Sequence, residues 1–368
     1  GKLNVSGSMH TRGFGQIEQK IDKRYKDNMY QYSVSSNLEL GKLLPEKAGI
    51  RIPFYGGISQ IFSTPEFDPY QLDVSSKTMI SSLKAKYGGD SAKHYLSQIQ
   101  TITTRRGYNF SGVRFMPKLK ATSPQIWDPG NFAFTYSFNE LLFTDPFIEK
   151  NSKKDYYGQI TWNYAPQAKE YTPFKKLIKS KSKWLDIIRD FNVNLMPATL
   201  SFNTDMSRQF GVIKLRALGD NDYAVPTTYN KYFKWNRSYV FKYNPFKSLS
   251  IDYAANNQSR IDEPDGAIDT KAEKDIIWSN IGKGGRNTNY NQTFNVGYTL
   301  PINKIPLFDF ITANVSYNTG YAWTASPQVR DSASNGFKAN PLGNLITNNQ
   351  ADKAKVDFNF KKIYDKVP

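Results

Sequence analysis

Side chains that commonly carry catalysis are scarce in this chain and poorly grouped. The two histidines, His10 and His94, stand far apart, in different connections or strand ends and with no Cys in the chain, so neither a zinc site nor an acid–base pair is expected. Cysteine is absent, which removes thiol nucleophiles and disulfides and suits an exported protein without redox chemistry. The run GKGGRNT at Gly282–Thr288 lacks the GxxxxGK spacing of a phosphate-binding loop and reads as a turn. Asp262, Glu263 and Asp265 with Gly266 could attract Ca²⁺ weakly, but calcium-loop spacing is missing and a solvated turn is expected. Carboxylate pairs occur with no pocket around them, so glycosidase or protease chemistry has no anchor. No catalytic residue, cofactor or metal ion is expected, and the chain reads as a non-enzyme.

What remains is a large stock of Asn, Gln, Ser and Thr, placed at every second position. Asn291, Thr293 and Asn295 alternate with Phe294, Val296 and Tyr298; Thr135, Ser137 and Asn139 alternate with Phe132, Phe134 and Tyr136. Gln159, Thr161 and Asn163 face away from Trp162 and its neighbours Ile160 and Tyr164. A period of two sends the two sets to opposite faces of a strand. The amides and hydroxyls are candidates for a water-filled bore, a wall that binds weakly and lets a large polar cargo pass. The rings and aliphatics are candidates for contact with lipid. The plainer alternative is that the polar set only solvates a barrel interior filled by loops.

The elements that would hold these faces recur along the chain. About twelve segments alternate: 4–16, 29–41, 49–62, 107–116, 131–142, 155–165, 198–210, 229–243, 248–259, 288–300, 310–323 and 354–361. In the fourth, the phase slips near Gly112, as at a β-bulge. One residue conflicts with the scheme. Arg237 shares parity with Phe233, Trp235, Tyr239 and Phe241, and a lipid-facing Arg at the bilayer midplane costs about 2–4 kcal/mol. Either Arg237 lies near an interface, or a bulge shifts the phase, or that face does not meet lipid. Long connections at 63–106, 211–228, 260–287 and 324–353 roughly alternate with short ones near Glu46, Pro245 and Lys304. Outer-membrane barrels carry long external loops and short periplasmic turns. On that pattern 63–106 is external, and the connection 166–197 is periplasmic. Within 63–106, Ser75 to Tyr87 predicts a helix stopped at Gly88. Within 166–197, Thr172 and Pro173 predict the start of an amphipathic helix bearing Phe174, Leu177, Ile178, Leu185 and Ile188. It would lie on a membrane surface, or else cap a barrel end or pack on another domain.

Composition sets the outer limits. The chain has 368 residues, 24 Tyr, 24 Phe and a formal charge of +17, with a mean hydropathy of −0.59. No apolar run is long enough for a transmembrane helix, which leaves a membrane barrel open because its alternating strands average out as polar. No basic-then-apolar leader opens the chain, so Gly1 is expected to be a mature terminus or a cut within something longer. Lys and Arg are scattered through the connections, unlike the single patch of a nucleic-acid module, so no nucleic-acid partner is expected. A soluble sandwich also alternates, but strands of ten or more residues and rings crowding strand ends (Trp162–Tyr164, Tyr321–Trp323) favour a bilayer.

Several phrases carry a family resemblance. NKYFKWNRSYVFKYNPFKSLSIDYAANNQSRIDEP (Asn230–Pro264), DIIWSNIGKGGRNTNYNQTFNVGYTLPINKIPLFDF (Asp275–Phe310), DFNVNLMPATLSFNTDMSRQF (Asp190–Phe210), GFGQIEQK, ELGKLLPEKAGIRIPFY and KIYDKVP resemble the SprA (Sov) family, the giant outer-membrane translocons of the Bacteroidetes type IX secretion system. The likeness covers nearly the whole chain, whereas members of the family are several-fold longer. It implies an internal segment of a very wide antiparallel transmembrane β-barrel, all-β, with the rest of that barrel as partner. It further implies export of folded cargo proteins with C-terminal signal domains to the cell surface, some serving gliding motility. A PorV-like outer-membrane protein, a periplasmic plug and outer-membrane lipids are the other implied partners. No residue here is assigned to those contacts.

Overall fold

A computed structural model describes residues 1–14, 25–116, 125–167, 170–178, 180, 182–217, 225–330, 337–339 and 341–364. Twelve long antiparallel strands follow one another in chain order: β1 Lys2–Phe14, β2 Tyr25–Glu39, β3 Pro53–Pro65, β4 Thr101–Phe115, β5 Phe132–Thr144, β6 Ile148–Tyr164, β7 Thr199–Leu215, β8 Thr228–Phe246, β9 Leu249–Arg260, β10 Arg286–Leu300, β11 Ile311–Thr324 and β12 Leu345–Phe358. Each pairs with its neighbours in sequence, and the two-residue strand Ile50–Arg51 adds to β4. The small hairpin Gln328–Arg330 with Phe337–Ala339 stands apart. Among the described residues the outer edges of β1 and β12 have no strand partner, so the sheet is open.

The strands run from 12 to 19 residues, beyond the 9–11 that cross a bilayer. Each expected segment falls largely on a strand among the described residues, with residues 15 and 16 lying outside them. The second strand stops at Glu39 and the twelfth at Phe358, short of the expected ends, and several others begin or end further out. The sixth begins at Ile148 rather than at residue 155, and the twelfth begins at Leu345 within what reads as a loop to residue 353. Charge explains the difference. IEKNSKK at 148–154 and TNNQADKAK at 347–355 carry polar groups on both parities, which erases the period without preventing hydrogen bonding along the ladder. The expected bulge at Gly112 is present: the register shifts between Phe110 and Val113, Gly112 has φ +62°, and its N–H donates to Thr135 Oγ1 at 3.0 Å.

The connections after β3, β7, β9 and β11 leave the same end of the sheet, here the upper end. The first carries α1 (Ser76–Tyr87) and α2 (Gly89–Ile99). The Ser75 side chain accepts from Thr78 N, and Gly88 caps the end of α1, as its spacing predicts. The loop 261–285 carries α3 (Lys271–Gly282), opened by a Thr270–Glu273 capping box. Neighbouring upper loops are pinned to each other: Tyr70 Oη donates to Pro146 O at 2.7 Å, and Arg216 N to Phe147 O at 2.8 Å. Partial burial pushes the Tyr70 phenol up from 10.0, and Tyr95, also half-buried and donating to Asp68 at 2.6 Å, is raised as well.

At the lower end the connection 166–197 is less helical than its apolar stripe predicts. Among its described residues, Leu177 N and Ile178 N turn back to Phe174 O, and helix is limited to a 3₁₀ turn at Lys183–Leu185 and one α turn at Asp186–Arg189. Lys179 lies outside the described residues. The cause is tertiary. Tyr171 bridges Val193, Phe174 packs on Phe191, and Phe191 packs on Phe246 of β8 at 5.2 Å, so the chain doubles back where a continuous helix would run on. Leu177, Trp184 and Ile188 stay exposed.

The sheet is a single layer. The chain exposes 25346 Å², against about 15,000 Å² for a compact monomer of this length. Buried hydrophobics among the described residues are few, and the one cluster they form is Phe233, Ile261 and Ile277 beneath α3. A sandwich would cover the aromatic face with a second sheet. Here most of it is bare.

Candidate functional site

Strand register joins the polar sets of the sequence into continuous rows, because directly opposed residues share a face. One row runs Thr135, Gln159, Asp205, Asn236, Gln258, Asn289 across β5 to β10. The next runs Thr161, Asn203, Ser238, Asn256, Asn291. A third links Asn163, Ser201, Val240, Ala254 and Thr293, and Asn295 lies between Asp252 and Asn318. Ser137 stands opposite Asn109 and Tyr157, and Asn139 opposite Gly107 and Asp155. All nine candidate wall residues therefore lie on one face, although β6 ends at Tyr164 and β10 begins only at Arg286.

Side chains on this face bond chiefly to one another. Gln159 Nε2 and Thr161 Oγ1 both donate to Asn203 Oδ1 at 2.8 Å. Asn236 donates to Asp205 at 2.9 Å, Ser238 to Asn256 at 3.1 Å, Asn289 to Gln258 at 3.0 Å and Thr299 to Asn314 at 2.8 Å. Such pairing fixes the wall and lowers its appetite for new partners, since a new bond must replace an existing one. Sequence reasoning that weighed only amides and hydroxyls missed the charges of this face. Arg105, Lys153, Asp155, Asp205, Lys234, Lys242 and Asp252 share its rows. Both signs occur, and Lys153 meets Asp155 at 3.3 Å. Their parity in the sequence is the signal that locates them. On β1–β3 the same face holds Asp27, fully buried between Arg12 at 2.9 Å and Ser63.

The opposite face carries every candidate lipid-facing residue. Phe132 lies opposite Trp162, Phe134 opposite Ile160 and Tyr136 opposite Gly158. Phe294, Val296 and Tyr298 lie opposite Tyr253, Ile251 and Leu249. Rings meet in pairs along the lower part of this face: Phe54–Phe110 at 4.9 Å, Tyr108–Phe138 at 5.3 Å, Phe138–Tyr156 at 5.0 Å and Phe202–Tyr239 at 5.1 Å. Phe134 is 45% exposed and Phe132 likewise; among the described residues no second layer lies over them.

Towards the upper end this face changes character. Glu140, nearly buried, accepts from Arg106 and lies 3.6 Å from Lys154. Arg208 pairs with the buried Glu263, so the acidic loop at 262–266 serves ion pairs: Arg286 also grips Asp262 at 3.0 and 3.2 Å. Arg237 keeps the parity of its aromatic neighbours, with no bulge beside it. Its guanidinium reaches Gly284 O at 3.2 Å, bonds Ser259 at 2.5 Å and stacks over Trp235 at 4.7 Å. The conflict at Arg237 is thus settled locally: around it the face is covered by loop 261–285. Gly285, at φ +71°, lets that loop close, since a Cβ there would lie 2.6 Å from Ile261.

Among the described residues no group of three or more His, Asp or Glu is placed to hold a metal ion, and no helix is long and apolar enough to cross a membrane.

Comparison with known proteins gives one family match. Residues 1–80 match SprA_N, a family described as motility related/secretion protein. No curated protein matches the chain. Among solved structures, the NanC porin in a rhombohedral crystal form aligns over 97% of this chain and all of its own, with 8% identity and a TM-score of 0.19.

Proposed function

We propose that this chain forms part of the wall of an outer-membrane channel that conducts folded proteins from the periplasm to the cell surface, as in type IX secretion and gliding motility of Bacteroidetes. The observation that carries the reading is a one-layer sheet with two chemically opposite faces, one a bare band of rings, the other continuous rows of paired amides and hydroxyls. In water an uncovered aromatic face of twelve strands would drive association. Against lipid it needs no cover. The match of residues 1–80 to a motility and secretion family supports the functional class.

The wall acts passively. Where its amides and hydroxyls are already paired, as at Gln159, Thr161 and Asn203, the wall gives a crossing protein weak contacts, so energy for transport comes from elsewhere. The unpaired edges of β1 and β12 require further strands, which we assign to the rest of a larger translocon barrel. A PorV-like protein, a periplasmic plug and cargo with C-terminal signal domains remain the partners proposed from the family resemblance. In this frame the upper loops face the cell exterior and the 166–197 connection faces the periplasm.

Extraction tests the reading. The chain should stay with membranes in high-salt and alkaline washes and leave only with detergent, and Thr135→Arg or Asn295→Arg should assemble normally but reduce cargo export. Release without detergent would establish instead a soluble β protein that binds glycans or partners. Closure of β1 on β12, detected by crosslinking, would establish a self-contained porin-like channel.

A further inference from the structure

Loop 261–285 does not lie flat on the outward face. Between α3 and strands β5–β8 it leaves a cavity of about 770 Å³, floored by Tyr136, Tyr156, Met206 and Phe210 and roofed by Trp278 and Ile281. That volume falls within the 300–1,000 Å³ usual for small-molecule sites. The floor continues the ring-lined face below it, through the opposed pairs Phe134–Ile160 and Phe132–Trp162. Charge at the mouth is lopsided. Lys154 and Arg106 share one carboxylate, Glu140, Lys274 enters from the first turns of α3, and Asp269 is the one carboxylate among the described residues of the lining. Trp278 stays largely exposed at the rim, an amphipathic ring of the kind favoured at the boundary of lipid and water.

We propose that this groove holds an acyl chain of an anionic membrane lipid, with its phosphate between Lys274 and Lys154. The proposal rests on the membrane reading above: a groove open to the lipid side and lined by rings admits a hydrocarbon chain from the adjoining leaflet, and the excess of cations at its mouth selects a negative headgroup. Bound there, the lipid would fill the gap that α3 leaves and hold the loop against the sheet.

Delipidated protein in detergent, titrated separately with phosphatidylglycerol and with phosphatidylcholine of the same chains, provides the test, with bound lipid counted by native mass spectrometry. One phosphatidylglycerol should be retained at least tenfold more tightly than phosphatidylcholine. Lys274→Glu should abolish that preference. Gly158 lies on the groove floor, and a Cβ there meets no atom within 4 Å, so Gly158→Leu should occupy the space and weaken retention of both lipids at least tenfold. Equal retention of the two lipids by the unaltered chain, or undiminished retention by Gly158→Leu, overturns the proposal. Alkaline extraction of the same samples separates the two readings. A chain washed from vesicles loses the membrane reading, whereas a chain that stays and retains no lipid loses only the groove.

Discussion

The lower and upper parts of the outward face share one parity of the sequence and present opposite solutions to the same problem. Below, Phe132, Phe134, Val296 and Tyr298 are left uncovered. Above, Arg106, Glu140, Lys154, Arg208 and Arg237 stand where rings would be expected, and loop 261–285 folds down to meet Arg208 with Glu263 and Arg237 with the Gly284 carbonyl. A strand longer than the apolar thickness of a bilayer must pass through two surroundings. The lower residues suit hydrocarbon. The upper ones suit water and need protein cover wherever charge is buried. Alternation alone does not distinguish these cases, because it reports a face and not what lies against it.

The comparison can be broken most forcefully in the upper region. Arg208→Met leaves Glu263, almost wholly buried, without its partner, and should loosen the cover by about 3–5 kcal/mol. Amide exchange across Lys271–Gly282 should accelerate, and the double change with Glu263→Gln should restore most of the protection. In the lower region Phe134→Arg or Val296→Arg should cost assembly about 2–4 kcal/mol near mid-bilayer, read as loss of the heat-modifiable folded band. Thr135→Arg and Asn295→Arg, on the other face, should leave that band intact. Equal damage from both pairs would contradict the assignment of faces.

Smaller changes sharpen the contrast. Thr270→Ala removes the side chain that caps α3 at 3.3 Å and should cost about 1 kcal/mol, visible as local exchange in 261–285 and not in the strands. The same helix start should respond to acid. The N–H of Thr270 donates to Glu273, which lowers that carboxyl below its ordinary 4.5. Its contribution is therefore complete above that value and is lost as pH falls through the lowered one. Exchange of α3 should rise on acidification within that range, and Glu273→Gln should flatten the dependence.

Particular residues show how far the sequence could be read. Phe132, Phe134 and Tyr136 against Thr135 and Ser137 announce a strand and its two faces, because only an extended backbone sends successive side chains to opposite sides. The Gly112 slip announces a bulge for a similar local reason. IEKNSKK hides the start of β6, since charges on both parities leave no period to detect. The stripe from Phe174 to Ile188 suggests a longer helix than the described residues form, because the packing of Phe174 on Phe191 and of Phe191 on Phe246 outweighs local preference. Arg237 is the instructive case: its sequence context exposes the conflict without resolving it.

Parity, then, was written into the chain: each residue's face follows from its position in a strand whose side chains alternate by covalent geometry. Neighbourhood was not. That Gln159 meets Asp205, that Asn256 meets Asn291, and that α3 settles over Phe233 depend on hydrogen-bond register and on where a loop finds its lowest free energy. Those are sums over contacts far apart in the chain, and only the folded sheet brings them together.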